Sequence, residues 1–195
     1  MTALTDGPAL VWRGDHDAAD VVAVLDPAGE ASHGELPATW RPVADRLLVG
    51  WVRLPADGAG IAAIDSALSR LDGQRAHVVT SGPATEVALW IAATHTAVAS
   101  FLVVDPEPCD GSLDGADGSA RARWWDALPG RAALARADVE VKTFYSDGLE
   151  LCTAAPAPLG LPEVVAWVER ALADESNQPG AGTPTRSPRD WKGAS

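Results

Sequence analysis

The chain has 195 residues, 47% of them hydrophobic and 22% charged, with 27 acidic against 15 basic side chains and a net charge of −12. Those proportions exclude wholesale disorder and predict one globular domain with a real core. The acidic excess argues against nucleic acid as a partner, because phosphate neutralisation needs clustered Lys and Arg, and equally against an anionic membrane surface.

In chain order, Met1 to Gly7 is polar and acidic, without the basic start and apolar stretch of an export signal. No apolar run approaches the roughly 20 residues of a membrane span. A cytoplasmic location is therefore expected, with Cys109 and Cys152 reduced. Two cysteines are too few for a disulfide scaffold or a zinc ribbon. Val21 to Leu25 (VVAVL) reads as a strand buried on both faces, ended by the turn Asp26-Pro27-Ala28-Gly29. Trp40, Val43 and Leu47 follow at helical spacing, and Pro42 places the helix start near itself. Leu48 to Leu54 is a second strand, closed by Pro55-Ala56-Asp57-Gly58. Ile61, Ile64, Leu68 and Leu71 form one face of an amphipathic helix that Asp72-Gly73 ends.

His77 to Thr80 is the next strand and runs into Ser81-Gly82-Pro83. From Pro83 the pattern is apolar all round, which predicts a helix buried on most sides. Ala99 to Val104 is a strand closed by Asp105-Pro106, and residues 105 to 119 form an acidic loop. Arg121 to Ala137 reads as helical with a break at Pro129-Gly130, Val139 to Phe144 as a strand, and Leu161 to Leu172 as a last helix. Ser176 to Ser195, rich in Pro, Gly, Ser and Thr, reads as a disordered tail of net charge +2 on a body of −14. Strands of unbroken apolar character alternating with helices predict an α/β three-layer sandwich over residues 8–175, with a mostly parallel central sheet of about six strands. Ligands on such sheets bind beyond the carboxyl ends of the strands. That points to the loops at 26–36, 55–60, 81–85, 105–120 and 145–150.

No loop carries Gly-x-Gly-x-x-Gly, and the only lysines, Lys142 and Lys192, are misplaced for a phosphate loop, so no nucleotide cofactor is expected. Asp15-His16-Asp17 with Asp20 gathers hard ligands, but four such residues before a strand read as a solvated turn. Asp110, Asp114 and Asp117 do not follow calcium-loop spacing, so no metal is expected there either. Cys109 has no adjoining base and reads as an inert thiol. Of Trp124-Trp125, one ring can reach the core from a helix, and the other marks a candidate partner surface.

The stretch from Val78-Val79-Thr80 to Ala88-Leu89-Trp90-Ile91-Ala92-Ala93-Thr94-His95 is a strand, a small-residue turn and an apolar helix. With Asp26-Pro27-Ala28-Gly29 and Trp40-Arg41-Pro42-Val43-Ala44-Asp45-Arg46-Leu47, it resembles the α/β-hydrolases, especially small thioesterases, over roughly residues 20–172. The resemblance implies a trimmed α/β-hydrolase-like fold without a lid. Matching the helix of that family places Thr80, Ser81, Gly82 and Ala84 on the elbow, with Gly82 at the nucleophile and Ala84 at the closing glycine. Glycine has no attacking group. The family's base is a late histidine, whereas His16, His33, His77 and His95 all lie in the first half of the chain. Pro27 stands where the oxyanion loop would offer an N–H. Asp105 and Asp147 occupy plausible acid positions.

Two functions follow. The first is a non-catalytic binding or interaction module whose site lies over Asp26, Ala28, Gly29, Gly82 and Pro83. Its partner would be a protein or a small acyl- or ester-like ligand. The second is a serine esterase or thioesterase in which Ser81 attacks and His33 is the base, with Asp105 as the acid or Asp26 or Glu35 orienting the pair. The plainer reading of Ser81 is that it caps the following helix.

Overall fold

The described residues of this computed structural model are 10–27, 34–54, 59–71, 73–113, 117–146 and 156–176. Among these residues six strands form one sheet in the order β1-β3-β2-β4-β5-β6. They are β1 (Leu10–Arg13), β2 (Asp20–Asp26), β3 (Leu48–Arg53), β4 (Arg75–Ser81), β5 (Val98–Val104) and β6 (Glu140–Phe144). All neighbouring pairs are parallel except β1 with β3. The mostly parallel α/β sandwich expected from the sequence is the observed one.

Helices on both faces explain why the central strands lack a polar alternation. One face, built from Val22, Val24, Val49, Trp51, Val79, Leu102 and Val104, packs against a 3-10 turn (Ala38–Trp40), α1 (Arg41–Ala44) and α6 (Pro162–Ser176). The opposite face, with Leu25, Val52, Val78, Phe101 and Val103, packs against α2 (Ala59–Leu68), α3 (Thr85–Thr94), α4 (Gly118–Ala127) and α5 (Pro129–Arg136). Trp40 ties the first layer together. Its indole Nε1 donates to the Leu159 carbonyl at 2.8 Å, and its ring meets Trp51 edge-on at 5.3 Å.

Several boundaries differ from the sequence reading, each for a local reason. The strand β1 carries no strong signal because it is four residues long and antiparallel at the sheet edge. It is held partly by Trp12, whose ring lies over Gly50, where a Cβ would come within 2.5 Å of it. The first helix begins at Arg41, as the position of Pro42 implied, but ends already at Ala44 rather than reaching Leu47. The helix α2 stops at Leu68 because Arg70 and Leu71 continue in tighter turns, their N–H groups reaching the carbonyls of Ala67 and Leu68. The break between α4 and α5 falls at extended Leu128, since the residue before a proline avoids the helical region.

The helix α3 is not buried on most sides, because Trp90 is 55% exposed. Trp125 is buried, stacked on Phe101 at 6.0 Å. Trp124 packs half-buried against the same core, so among the described residues the exposed indole is that of Trp90. No helix among the described residues is long and apolar enough to cross a membrane. The proposed tail from residue 177 onward lies outside the described residues.

Candidate functional site

The connection after β2 leaves to the α1 and α6 face, and the connection after β4 leaves to the other face. These two strands are neighbours, so their carboxyl ends form the switch point at which parallel α/β sheets bind ligands. Asp26 ends β2 there, Ser81 ends β4, and Asp105 follows β5 on the next strand over. The structure thus brings Asp26, Ser81, Gly82 and Asp105 to one end of the sheet. His33, Ala28, Gly29 and Asp147 lie outside the described residues, so the Ser81–His33 pairing has no geometry here.

Gly82 is the sharp point of the β4 to α3 turn. Its φ is +50°, a left-handed conformation that disfavours any side chain. A Cβ built there would come within 2.5 Å of Pro156 Cγ. The side-chain space of that position is therefore filled by the segment leading into α6. The Gly82 carbonyl accepts from Thr85 Oγ1 at 2.6 Å and from the Glu107 N–H at 3.3 Å.

Ser81 is extended (φ −141°, ψ 156°) and 3% exposed, and its side chain does not cap the turn. The expected cap is thus not made by Ser81, and the hydroxyl that closes this turn belongs to Thr85 instead. Pro83 is exposed beside it. Asp26 is fully buried and accepts from Trp51 Nε1 at 3.0 Å.

Asp105 is also fully buried, with the unusual φ of +43°. Its carboxylate accepts from the Ser146 N–H at 2.8 Å, the Ser146 hydroxyl at 2.5 Å and the Ala157 N–H at 2.8 Å. Those bonds hold the ends of the 146–157 connection against β5. Next to it, Glu107 pairs with the buried Arg121 at 3.1 Å. The histidines that are described stand elsewhere. His77 precedes Ser81 by four residues of extended strand, about 13 Å. His95 follows α3, its Nε2 2.9 Å from Asp65 Oδ1.

The neighbouring acidic loop behaves as a set of local turns. Asp110 accepts from the Ser112 N–H, and Asp117 caps α4 through the Ala120 N–H. Hydrogen bonds from Ser112 and Ser119 respectively hold these two carboxyls below their ordinary range. The Cys109 thiol donates to Glu86 at 3.0 Å, and that carboxylate raises the thiol above its ordinary value. A raised thiol is a poor nucleophile near neutrality. No group of three metal-ligating side chains occurs among the described residues.

No protein-family model matches the sequence, and no curated protein is similar to it. Among solved structures, the chain is similar to a protein of unknown function from Agrobacterium tumefaciens, described as a candidate alpha/beta hydrolase. The two are 11% identical with a TM-score of 0.45, over 88% of this chain and 92% of that one.

The sequence did not reveal the wedge of Pro156 against Gly82, because 74 positions separate them. It also did not reveal the row of half-buried Asp20 with buried His77 and Ser100 at the other end of the same sheet face. Its only signal was the two-residue spacing of His77, Val79 and Ser81 along β4, which puts all three on one face.

Proposed function

We propose that this chain is a non-catalytic binding module built on an α/β-hydrolase-like sheet. Its site lies at the switch point over Asp26, Ser81, Gly82 and the exposed Pro83. The observation that carries this reading is Gly82 at the tip of the strand–turn–helix elbow. An elbow nucleophile needs a side chain at that tip, projecting above the sheet. Here the tip has none, and Pro156 fills the space one would take. Asp105, the candidate acid, has its carboxylate engaged by Ser146 and Ala157, which suits a structural tie better than the orientation of an imidazole. The partner is a protein or a small acyl- or ester-like ligand.

The rival is an esterase or thioesterase that attacks through Ser81, whose hydroxyl is not used as a cap. A fluorophosphonate probe, p-nitrophenyl esters and short acyl thioesters, tested beside Ser81→Ala, separate the two. The binding module gives no labelling and no turnover. Its amide signals at Ser81, Gly82 and Ala84 still move on adding a non-hydrolysable short-chain acyl amide. Labelling and turnover that disappear in Ser81→Ala overturn the proposal in favour of the enzyme.

A further inference from the structure

One side of α3, with Ala88, Leu89, Ile91 and Ala92, meets the core, and the other side carries Val87, Trp90 and Ala93. Trp90 is 55% exposed, with half-buried Val87 one turn before it and exposed Ala93 one turn after. The neighbouring α5 adds exposed Ala132 and half-buried Ala133. Its Gly130 lets the two helices close up, since a Cβ there would come within 2.4 Å of Leu89. One large ring thus stands beside small side chains that leave room for another ring.

Charge sets this face apart. The chain carries −12, so two copies repel over most of their surface. The helices α3 and α5 together hold one acid, Glu86, and two bases, Arg131 and Arg136, which sum to +1. Arg131 pairs with Asp126, while Glu86 and Arg136 lie at opposite ends of the face.

The register of the helices relates those two charges. The strands β4, β5 and β6 are parallel, α3 leaves β4 and α5 enters β6, so the two helices are parallel to each other. Gly130 against Leu89 sets their levels and puts Arg131 level with Trp90. At about 1.5 Å per residue, Glu86 lies about 6 Å from that level toward one end, and Arg136 about 7.5 Å toward the other. A two-fold axis at Trp90 therefore brings Glu86 level with the partner's Arg136, twice over. The Glu86 carboxylate accepts from the Cys109 thiol at 3.0 Å and keeps acceptor sites for a guanidinium.

We propose that a second copy of this chain docks on this face, the two α3–α5 surfaces meeting about that axis with each Trp90 against the partner's alanines. The dimer does not depend on what the switch point binds. Two helices about 15 and 12 Å long and about 10 Å apart make a smaller patch than the roughly 800 Å² per partner of a standard interface, so the association is weak and reversible.

Sedimentation of the full-length protein from micromolar to near-millimolar concentration tests the proposal, and a monomer–dimer equilibrium is expected. Trp90→Ala should weaken it at least about tenfold, with native circular dichroism. Arg136→Glu and Glu86→Arg should each weaken it severalfold, and the chain carrying both reversals should return to wild-type affinity. A chain that stays monomeric at the highest concentration, a dimer that survives in folded Trp90→Ala, or a double reversal as weak as the singles overturns the proposal. The wild-type dilution series and the charge reversals keep it falsifiable if Trp90→Ala does not fold.

Discussion

At the carboxyl ends of β4 and β5 the polar groups tie down the protein's own loops, whereas at the amino ends of β2 and β4 Asp20 and His77 bond to neighbouring strands and line a cavity. Asp105 is saturated by Ser146 and Ala157, and the turn at Gly82 is plugged by Pro156. Asp20 and His77 instead floor a cavity. The two ends share one face of one sheet, and their strands are equally apolar between them. The difference lies in the elements laid over them. The segment leading into α6 presses onto the carboxyl end, while residues of α1 and α6 line a cavity at the other. A polar residue at a strand end thus becomes a loop tie or part of a cavity wall according to what packs above it.

The strongest way to break this comparison is Asp105→Ala. Loss of a buried carboxylate that accepts three bonds leaves buried donors unpaired, and alanine also tolerates the positive φ poorly. Unfolding in urea should show a loss of roughly 3–5 kcal/mol. Asp105→Asn keeps one acceptor and the tolerance for that backbone and should lose clearly less. If Asp105→Ala left stability unchanged, the tie would be unreal and the residue would be available for another role.

Gly82→Ala comes next. Left-handed strain together with the clash against Pro156 should cost about 2–4 kcal/mol. Adding Pro156→Ala should return the steric part and leave the backbone part, giving a measurable coupling between the two sites. Equal losses in the single and double variants would mean that Pro156 does not fill the elbow.

The smallest effect concerns the edge of the site. Cys109 is an exposed thiol raised by its bond to Glu86. Its alkylation by iodoacetamide, read by mass spectrometry of the Cys109 peptide, should rise with pH later than for an ordinary thiol. A raised value means that the thiolate appears only at higher pH. Glu86→Gln should move that profile back toward lower pH. An unshifted profile in the variant would remove Glu86 as the cause.

Much of the fold was legible along the chain. Val21 to Leu25 and Ala99 to Val104 are unbroken apolar runs that only a sheet covered on both faces can bury. Pro129 after Leu128 marked the helix break. The strand β1 was not legible, because four edge residues carry almost no periodic signal and their pairing with β3 is settled across the intervening β2 and α1. Exposure of Trp90 was hidden by its apolar neighbours on α3, since composition does not say which side of a helix meets another element. At the candidate site, the sequence placed Asp26, Ser81, Gly82 and Asp105 at strand ends but could not say what each would touch.

By itself, then, the sequence determined the α/β alternation, the parallel core strands and the glycine at the elbow, because backbone preference and apolar burial act over a few neighbouring residues. The tertiary structure alone decided that Pro156 fills that elbow, that Asp105 ties a loop, and that Asp20, His77 and Ser100 meet beneath a cavity. Those contacts join residues 23 to 74 positions apart. Only strand order and helix packing bring such residues within hydrogen-bond range.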